Sequence, residues 1–172
     1  MESQPGLFSP AHADRGTLAM LSQVEFRPGM QVLDLGCGWG LVGVLAAKRC
    51  GAENVWMCDI DPAAVETARK NAAANDVEGI HAVVSDGLEA VDAAGFDLIL
   101  TNPPYQSDFS VARRFIEKGF NRLKIGGWMY VVVKREKWYL NKMRAVFGGA
   151  VSREIDGYYV ISAQRRRSQR GG

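Results

Sequence analysis

From residue 30 onward the apolar positions of the chain alternate between two rhythms. Short runs in which nearly every residue is apolar fall at 31–35, 54–59, 81–85, 96–101 and 128–133. Between and after them, small and apolar residues recur at helical spacing over 40–50, 62–75, 108–123 and 137–147. A strand apolar on both faces belongs in a sheet covered on both sides, the usual condition of parallel sheets. Strands alternating with helices therefore predict a doubly wound α/β fold assembled from βαβ units. The helix over 62–75 has the clearest start, since Asp61 can cap it and Pro62 suits its first position. The end of the chain breaks the alternation. Residues 150–156 and 158–164 read as two strands meeting at Asp156-Gly157, a tight-turn dipeptide. The expectation is a mainly parallel seven-stranded sheet with an antiparallel C-terminal hairpin. Ahead of the first strand, Pro5, Gly6, Pro10 and Gly16 predict an irregular lead-in with a short helix at 17–23. Phe8 and the run Thr17–Leu21 argue that this lead-in packs on the body.

Composition narrows the picture only slightly. The 172 residues are 47% hydrophobic and 23% charged, as in an ordinary soluble domain long enough to bury a core. No apolar run approaches the roughly 20 residues of a membrane span, and the N-terminus lacks the pattern of a signal peptide. Cys37, Cys50 and Cys58 fall in core elements, which fits reduced thiols in a cytoplasmic protein. With two histidines and no Cys-x-x-Cys spacing, no metal site is expected. Net charge is +2, but four arginines, Arg165, Arg166, Arg167 and Arg170, lie in the last eight residues; without them the remainder is −2. That tail is either an arm that seeks nucleic acid or a solvated end. The expected organisation is a lead-in over 1–24, an α/β domain over 25–164 and a basic, disordered tail over 165–172.

Candidate chemistry gathers where the strands end. The first strand runs into Asp34-Leu35-Gly36-Cys37-Gly38-Trp39-Gly40. Alternate glycines let the backbone turn tightly and approach a ligand with no Cβ in the way. Asp34 suits a ligand carrying an ammonium or sulfonium charge and would repel a pyrophosphate. Gly38 to Gly43 also matches G-x-G-x-x-G, with Asp59 at about the right separation. In a dinucleotide site the first glycine follows the strand directly; here Asp34 and Gly36 come earlier, so that reading is rejected. Asp59, ending the second strand, suits ribose hydroxyls. Asp86 and Gly87, after the third, can accept from an adenine amino group and leave room for its ring; the alternative for Asp86 is a turn or cap. Acids ending three successive parallel strands point to the crevice where such folds bind ligands. A nucleoside with a positive charge near Asp34 fits S-adenosylmethionine.

A second, independent signal is Asn102-Pro103-Pro104-Tyr105, directly after the run Phe96–Thr101. Two prolines cannot continue a strand, so the chain stops in a stiff loop opened by an amide and closed by an aromatic ring. Such a loop suits a planar –NH2 compound. Together these elements resemble the class I S-adenosylmethionine-dependent methyltransferases, and among them the small-subunit ribosomal RNA guanine-N2 group. The likeness spans Gly6 to about Gln164 and includes the lead-in Gly6-Leu7-Phe8-Ser9 followed by Asp14-Arg15-Gly16-Thr17.

The resemblance implies a cofactor site of Thr17, Asp34, Gly36, Cys37, Gly38, Gly40, Asp59, Ile60, Asp86, Gly87 and Asn102. It implies catalysis by Asn102, Pro103 and Tyr105, and target-base contacts from Phe8, Pro104 and Tyr105. The expected partner is ribosomal RNA or the small ribosomal subunit. Many relatives are twice as long, and this chain corresponds to their catalytic half. The expected reaction is direct transfer of a methyl group to an exocyclic amine, whose N–H bonds Asn102 Oδ1 and the Pro103 carbonyl would accept. Arg113, Arg114, Lys118, Arg122, Lys134 and Arg135 are candidate phosphate contacts, each alternatively a solvated surface residue. Trp39 is read as packing or a lid. The rival enzymes are adenine-N6 and protein glutamine-N5 methyltransferases; the non-enzymatic alternative is a cofactor-binding assembly module.

Overall fold

The computed structural model describes residues 14–104 and 108–167. Among these residues one sheet holds seven strands: β1 (Val32–Leu35), β2 (Val55–Asp59), β3 (His81–Val84), β4 (Phe96–Thr101), β5 (Leu123–Val133), β6 (Val151–Ile155) and β7 (Tyr158–Gln164). Their order is β3-β2-β1-β4-β5-β7-β6. The first five strands are parallel, and β7 runs antiparallel to both β5 and β6. Five helices accompany them: α1 (Arg15–Leu21), α2 (Leu41–Cys50), α3 (Pro62–Ala74), α4 (Ser110–Arg122) and α5 (Glu136–Phe147).

The apolar strand runs are explained by two cores, one on each face of the sheet. Val32, Leu98 and Leu100 point to the face covered by α1, α2 and α3, where Met20, Val44 and Ala68 are buried. Their neighbours Leu33 and Ile99 point to the other face, against Phe115 and Ile116 of α4 and Met143 of α5. Asp61 caps α3 as expected, accepting from the Ala63 N–H at 2.9 Å. The hairpin turn has φ of 52° at Asp156 and 82° at Gly157. Two positive values in succession make the type I′ turn that matches strand twist.

Three features differ from the sequence expectation. The first helix begins at Arg15, two residues early, because Asp14 caps it by accepting from the Gly16 and Thr17 N–H groups. β5 begins at Leu123, five residues early; Leu123 pairs with Phe96 across a register shift, through Gly126 at φ 91°. Gly127 is needed there, since a Cβ would lie 2.6 Å from the Phe96 carbonyl oxygen. The third concerns the arginines. Arg165, assigned to a free tail, belongs to the body: its guanidinium donates to the carbonyls of Phe120, Asn121 and Leu123 and lies 4.8 Å from the Phe120 ring centre. Arg122 likewise turns inward, donating to the carbonyls of Leu88, Val91 and Ala93. Helix ends leave carbonyls without partners, and Arg165 supplies donors to those closing α4.

All three cysteines are buried and free. No helix among the described residues is long and apolar enough to cross a membrane, and none of their His, Cys, Asp and Glu side chains cluster as metal ligands do.

Candidate active site

β1 and β4 lie side by side, yet the chain leaves them in opposite directions along the sheet: β1 leads to β2 and β3, β4 to β5. The gap above the carboxyl ends at such a switch point is where doubly wound sheets hold ligands. Thr101 fastens the two ends together, its buried hydroxyl donating to the Leu35 carbonyl at 2.8 Å. The glycine loop leaves β1 there and Asn102 leaves β4.

The loop is held from below and from the side. The Gly36 and Cys37 N–H groups both donate to the Cys58 carbonyl, at 2.9 and 2.8 Å. Gly36, Gly38 and Gly40 all have positive φ, which an L side chain rarely adopts. Asp59 ties the loop to the next strand: one carboxylate oxygen accepts from the Gly38 N–H and the other from the Asp61 N–H, each at 2.9 Å. Asp34 is buried and accepts from the Gly43 N–H at 2.9 Å. Gly43 thus serves packing and the protein's own carboxylate. A Cβ there would come within 2.4 Å of Met57. This accounts for the G-x-G-x-x-G match without a phosphate.

Two cavities open over these elements. The smaller, about 160 Å³, is walled by Asp14, Thr17, Met20, Asp34, Trp39, Leu41 and Val42 with the glycine loop. The larger, about 390 Å³, runs over β2 and β3 and is walled by Asp59, Ile60, Ser85, Asp86, Gly87, Pro104, Val111, Arg114 and Phe115. Gly36, Gly38 and Asn102 line both. Burial pushes the Asp34 carboxyl up to about 7; the Gly43 N–H offsets part of this and the nearby Asp59 charge adds to it. A carboxyl so placed gains from a cationic partner in the smaller cavity. Burial likewise raises the Cys58 thiol to about 12 and the Cys37 thiol further, so neither is a thiolate nucleophile.

Asn102 stands where the cavities meet. Its Nδ2 donates to Asp14 Oδ2 and to Thr17 Oγ1, both at 3.2 Å. The carboxylate is an acceptor, which decides which end of the amide faces α1 and turns Oδ1 away from it. Pro103 is buried and Pro104 exposed.

Of the residues singled out from sequence, Thr17, Asp34, Gly36, Cys37, Gly38, Asp59, Ile60, Asp86, Gly87, Asn102 and Pro104 line one cavity or both. Gly40 lines neither: it caps α2 in a left-handed conformation and packs on Ala68. Phe8 and Tyr105 lie outside the described residues. Asp14, Val111, Arg114 and Phe115 were not foreseen as wall residues. Asp14 stood in the sequence only as part of the lead-in, and nothing in the sequence brings Arg114 and Phe115 of α4 beside Asp86 and Gly87, just past β3. Arg114 pairs with Asp86 at 3.6 Å, both partly exposed, so Asp86 is not only a turn residue.

Known proteins are similar to this chain in sequence and fold. The profile of the methyltransferase small domain matches residues 1–162. The ribosomal RNA small subunit methyltransferase C of Pseudomonas putida is 32% identical over 95% of the chain, and that of Haemophilus influenzae 34% identical over 81%. The chain spans 50% and 38% of these two relatives, about half their length or less. Among solved structures, the T. thermophilus 16S rRNA N2-guanosine methyltransferase, in complex with AdoMet and guanosine, superposes with a TM-score of 0.83 at 30% identity, covering 92% of this chain and 45% of that one. TrmN from Thermus thermophilus gives 0.71 at 26% identity, covering 86% and 47%. With the profile matched along nearly all its length, the chain belongs to the methyltransferase small domain family.

Proposed function

We propose that this protein transfers a methyl group from S-adenosylmethionine to the exocyclic N2 amine of a guanine in ribosomal RNA. The observation that carries the reading is Asn102, set at the common wall of two cavities that differ in chemistry. The relatives named for ribosomal RNA methylation support the substrate class.

The residues present suit the cofactor. Asp34 would hold its ammonium group, with the backbone of Gly36, Cys37 and Gly38 alongside and Thr17 at the same wall. Asp59 would accept from the ribose hydroxyls. Ile60, 66% exposed although apolar, would cover one side of the adenine, with Phe115 and Gly87 across the cavity. Asp86 would accept from the adenine amino group. When bound, the cofactor supplies an electrophilic methyl group on a sulfonium sulfur.

An exocyclic amine is a weak nucleophile because its lone pair is delocalised into the ring. Asn102 Oδ1 and the Pro103 carbonyl accept its two N–H bonds, draw the nitrogen toward tetrahedral geometry and aim the lone pair. Pro104 offers a surface to the base, and Tyr105 and Phe8 are proposed as further contacts to it. Positioning and electrostatics supply the rate, and the surplus proton leaves to water. A base paired in RNA must first leave its stack, at about a few kcal/mol. In this reading residues 25–164 form the catalytic unit and 1–24 a lead-in onto the site; the exposed Arg166 and Arg167, with Arg113, Lys118 and Lys134, are available to phosphates. In this reading the protein acts in the cytoplasm.

The test is transfer of labelled methyl to unmodified small subunits, free ribosomal RNA and a release factor, with product analysis. Label in N2-methylguanosine supports the reading. Label in N6-methyladenosine or in protein glutamine overturns the substrate while keeping the role of Asn102.

A further inference from the structure

We propose that Asp14 is a positioning residue that sets the direction of the Asn102 amide, with Thr17 as its second support. The inference rests on the role given to Asn102 above. An asparagine amide has two orientations of nearly equal shape, and only one presents Oδ1 to an amine. Asp14 removes that choice. Its Oδ1 accepts from the Gly16 N–H at 2.6 Å and the Thr17 N–H at 3.3 Å, starting α1. Its Oδ2 accepts from Asn102 Nδ2 at 3.2 Å, and Thr17 Oγ1 accepts from the same nitrogen at 3.2 Å. Both N–H bonds of the amide are therefore committed. Rotating it by half a turn would set Oδ1 against a carboxylate.

The support is itself firmly seated. Ala19 and Met20 of α1 are buried on the face shared with β5 and β7. Gly16 meets the Tyr158 ring so closely that a Cβ would lie 2.9 Å from it. One carboxylate thus begins a helix and orients an amide 88 residues away. The acceptor of the reaction exists in its working direction only while α1 is docked on the hairpin strand.

Asp14→Asn tests this with little change in shape. The introduced amide can still cap α1 through its oxygen, but its NH2 group then meets the NH2 group of Asn102, donor against donor. Turning the introduced amide over would bring its NH2 against the Gly16 N–H. The relief left is a turned Asn102, with nitrogen where oxygen is needed. Turnover should fall on the order of 100-fold, the scale of a mispositioned reacting group. Thermal midpoint should stay near that of the unmodified protein, and turnover is read at saturating cofactor because Asp14 lines the cofactor cavity. Thr17→Val should fall less, about tenfold, and Thr17→Ser should recover most of it.

Reversing polarity separates positioning from mere structure. Asn102→Asp alone sets carboxylate against carboxylate. In the D14N background the same change restores a donor–acceptor pair and leaves an oxygen for the amine, so the double variant should exceed both single ones. Additive losses would indicate a structural role and overturn the proposal. A readout free of substrate is hydrogen exchange of the Asn102 side-chain amide by NMR: slow in the unmodified protein, fast in D14N. Unchanged exchange, or full turnover in D14N, sinks the idea. A product other than N2-methylguanosine from the unmodified protein defeats the proposed function instead; D14N is then scored on the acceptor found.

Discussion

The two cavities that share Asn102 are made of different materials. The smaller is walled by the glycine loop, the buried Asp34 carboxyl, Asp14 and Thr17, with Met20, Trp39, Leu41 and Val42 as its apolar part. The larger is walled mainly by side chains, Ile60, Pro104, Val111 and Phe115, with Asp59 and Asp86 at its polar edge. A site of the first kind selects by charge, because a buried carboxyl rewards a cation and penalises an anion. One of the second kind selects by area and shape, through removal of apolar surface from water. Asn102, common to both, is placed to act on what lies between them.

The strongest way to separate these roles is Asn102→Ala. Turnover should fall on the order of 1,000-fold, as when a preorganised polar group is lost, while cofactor affinity measured by calorimetry stays nearly unchanged. Full activity in that variant would remove the mechanism.

Next in size is Asp34→Asn, which should weaken cofactor binding by about 2 kcal/mol, roughly 30-fold, and leave adenosine, which lacks the ammonium, bound as before. The same contrast has a pH signature. Burial raises Asp34 from 3.8 to about 7, so the ligand-free protein holds a proton there below pH 7. An ammonium partner prefers the carboxylate. Cofactor affinity should rise with pH and level off above about 7, whereas adenosine affinity stays flat. Stability of the ligand-free protein runs the other way. The folded state binds more protons than the unfolded one between pH 3.8 and about 7, so stability declines as pH rises through that window. A denaturation series in which Asp34→Asn left the slope across that window unchanged would contradict the assignment to Asp34.

The larger cavity divides by burial. Phe115→Ala should cost about 3 kcal/mol of stability, because the ring is also core, and should weaken adenosine. Ile60→Ser removes an exposed side chain, so its thermal midpoint should barely move. Adenosine should still bind more weakly, by about 1 kcal/mol or roughly fivefold. Equal affinity in that variant would take Ile60 out of the wall.

The sequence carried far in some places and stopped in others. Asp61-Pro62 and Asp156-Gly157 announced a helix start and a hairpin because caps and turns are decided by neighbours in the chain. The start of β5 did not show: Leu123 to Gly127 includes two glycines and lacks a continuous apolar run, and it joins the sheet only because Phe96 lies opposite. Four arginines near the end looked alike, yet Arg165 is spent on the carbonyls closing α4. Composition cannot distinguish an arginine that meets solvent from one that meets a helix end.

The same division runs through the candidate site. The glycines, the acids ending β1, β2 and β3, and the Asn-Pro-Pro stop are local: each follows from backbone freedom, charge or a missing N–H at its own position. The sequence by itself therefore determined the layered α/β plan and the chemistry at the strand ends. Strand order, which brings β1 beside β4, came only with the tertiary structure. So did the approach of Phe115 and Arg114 to Gly87 and Asp86, just past β3, and the meeting of Asp14 and Thr17 with Asn102. Those contacts join residues far apart in the chain, and their geometry is set by how helices pack on both faces of a finished sheet.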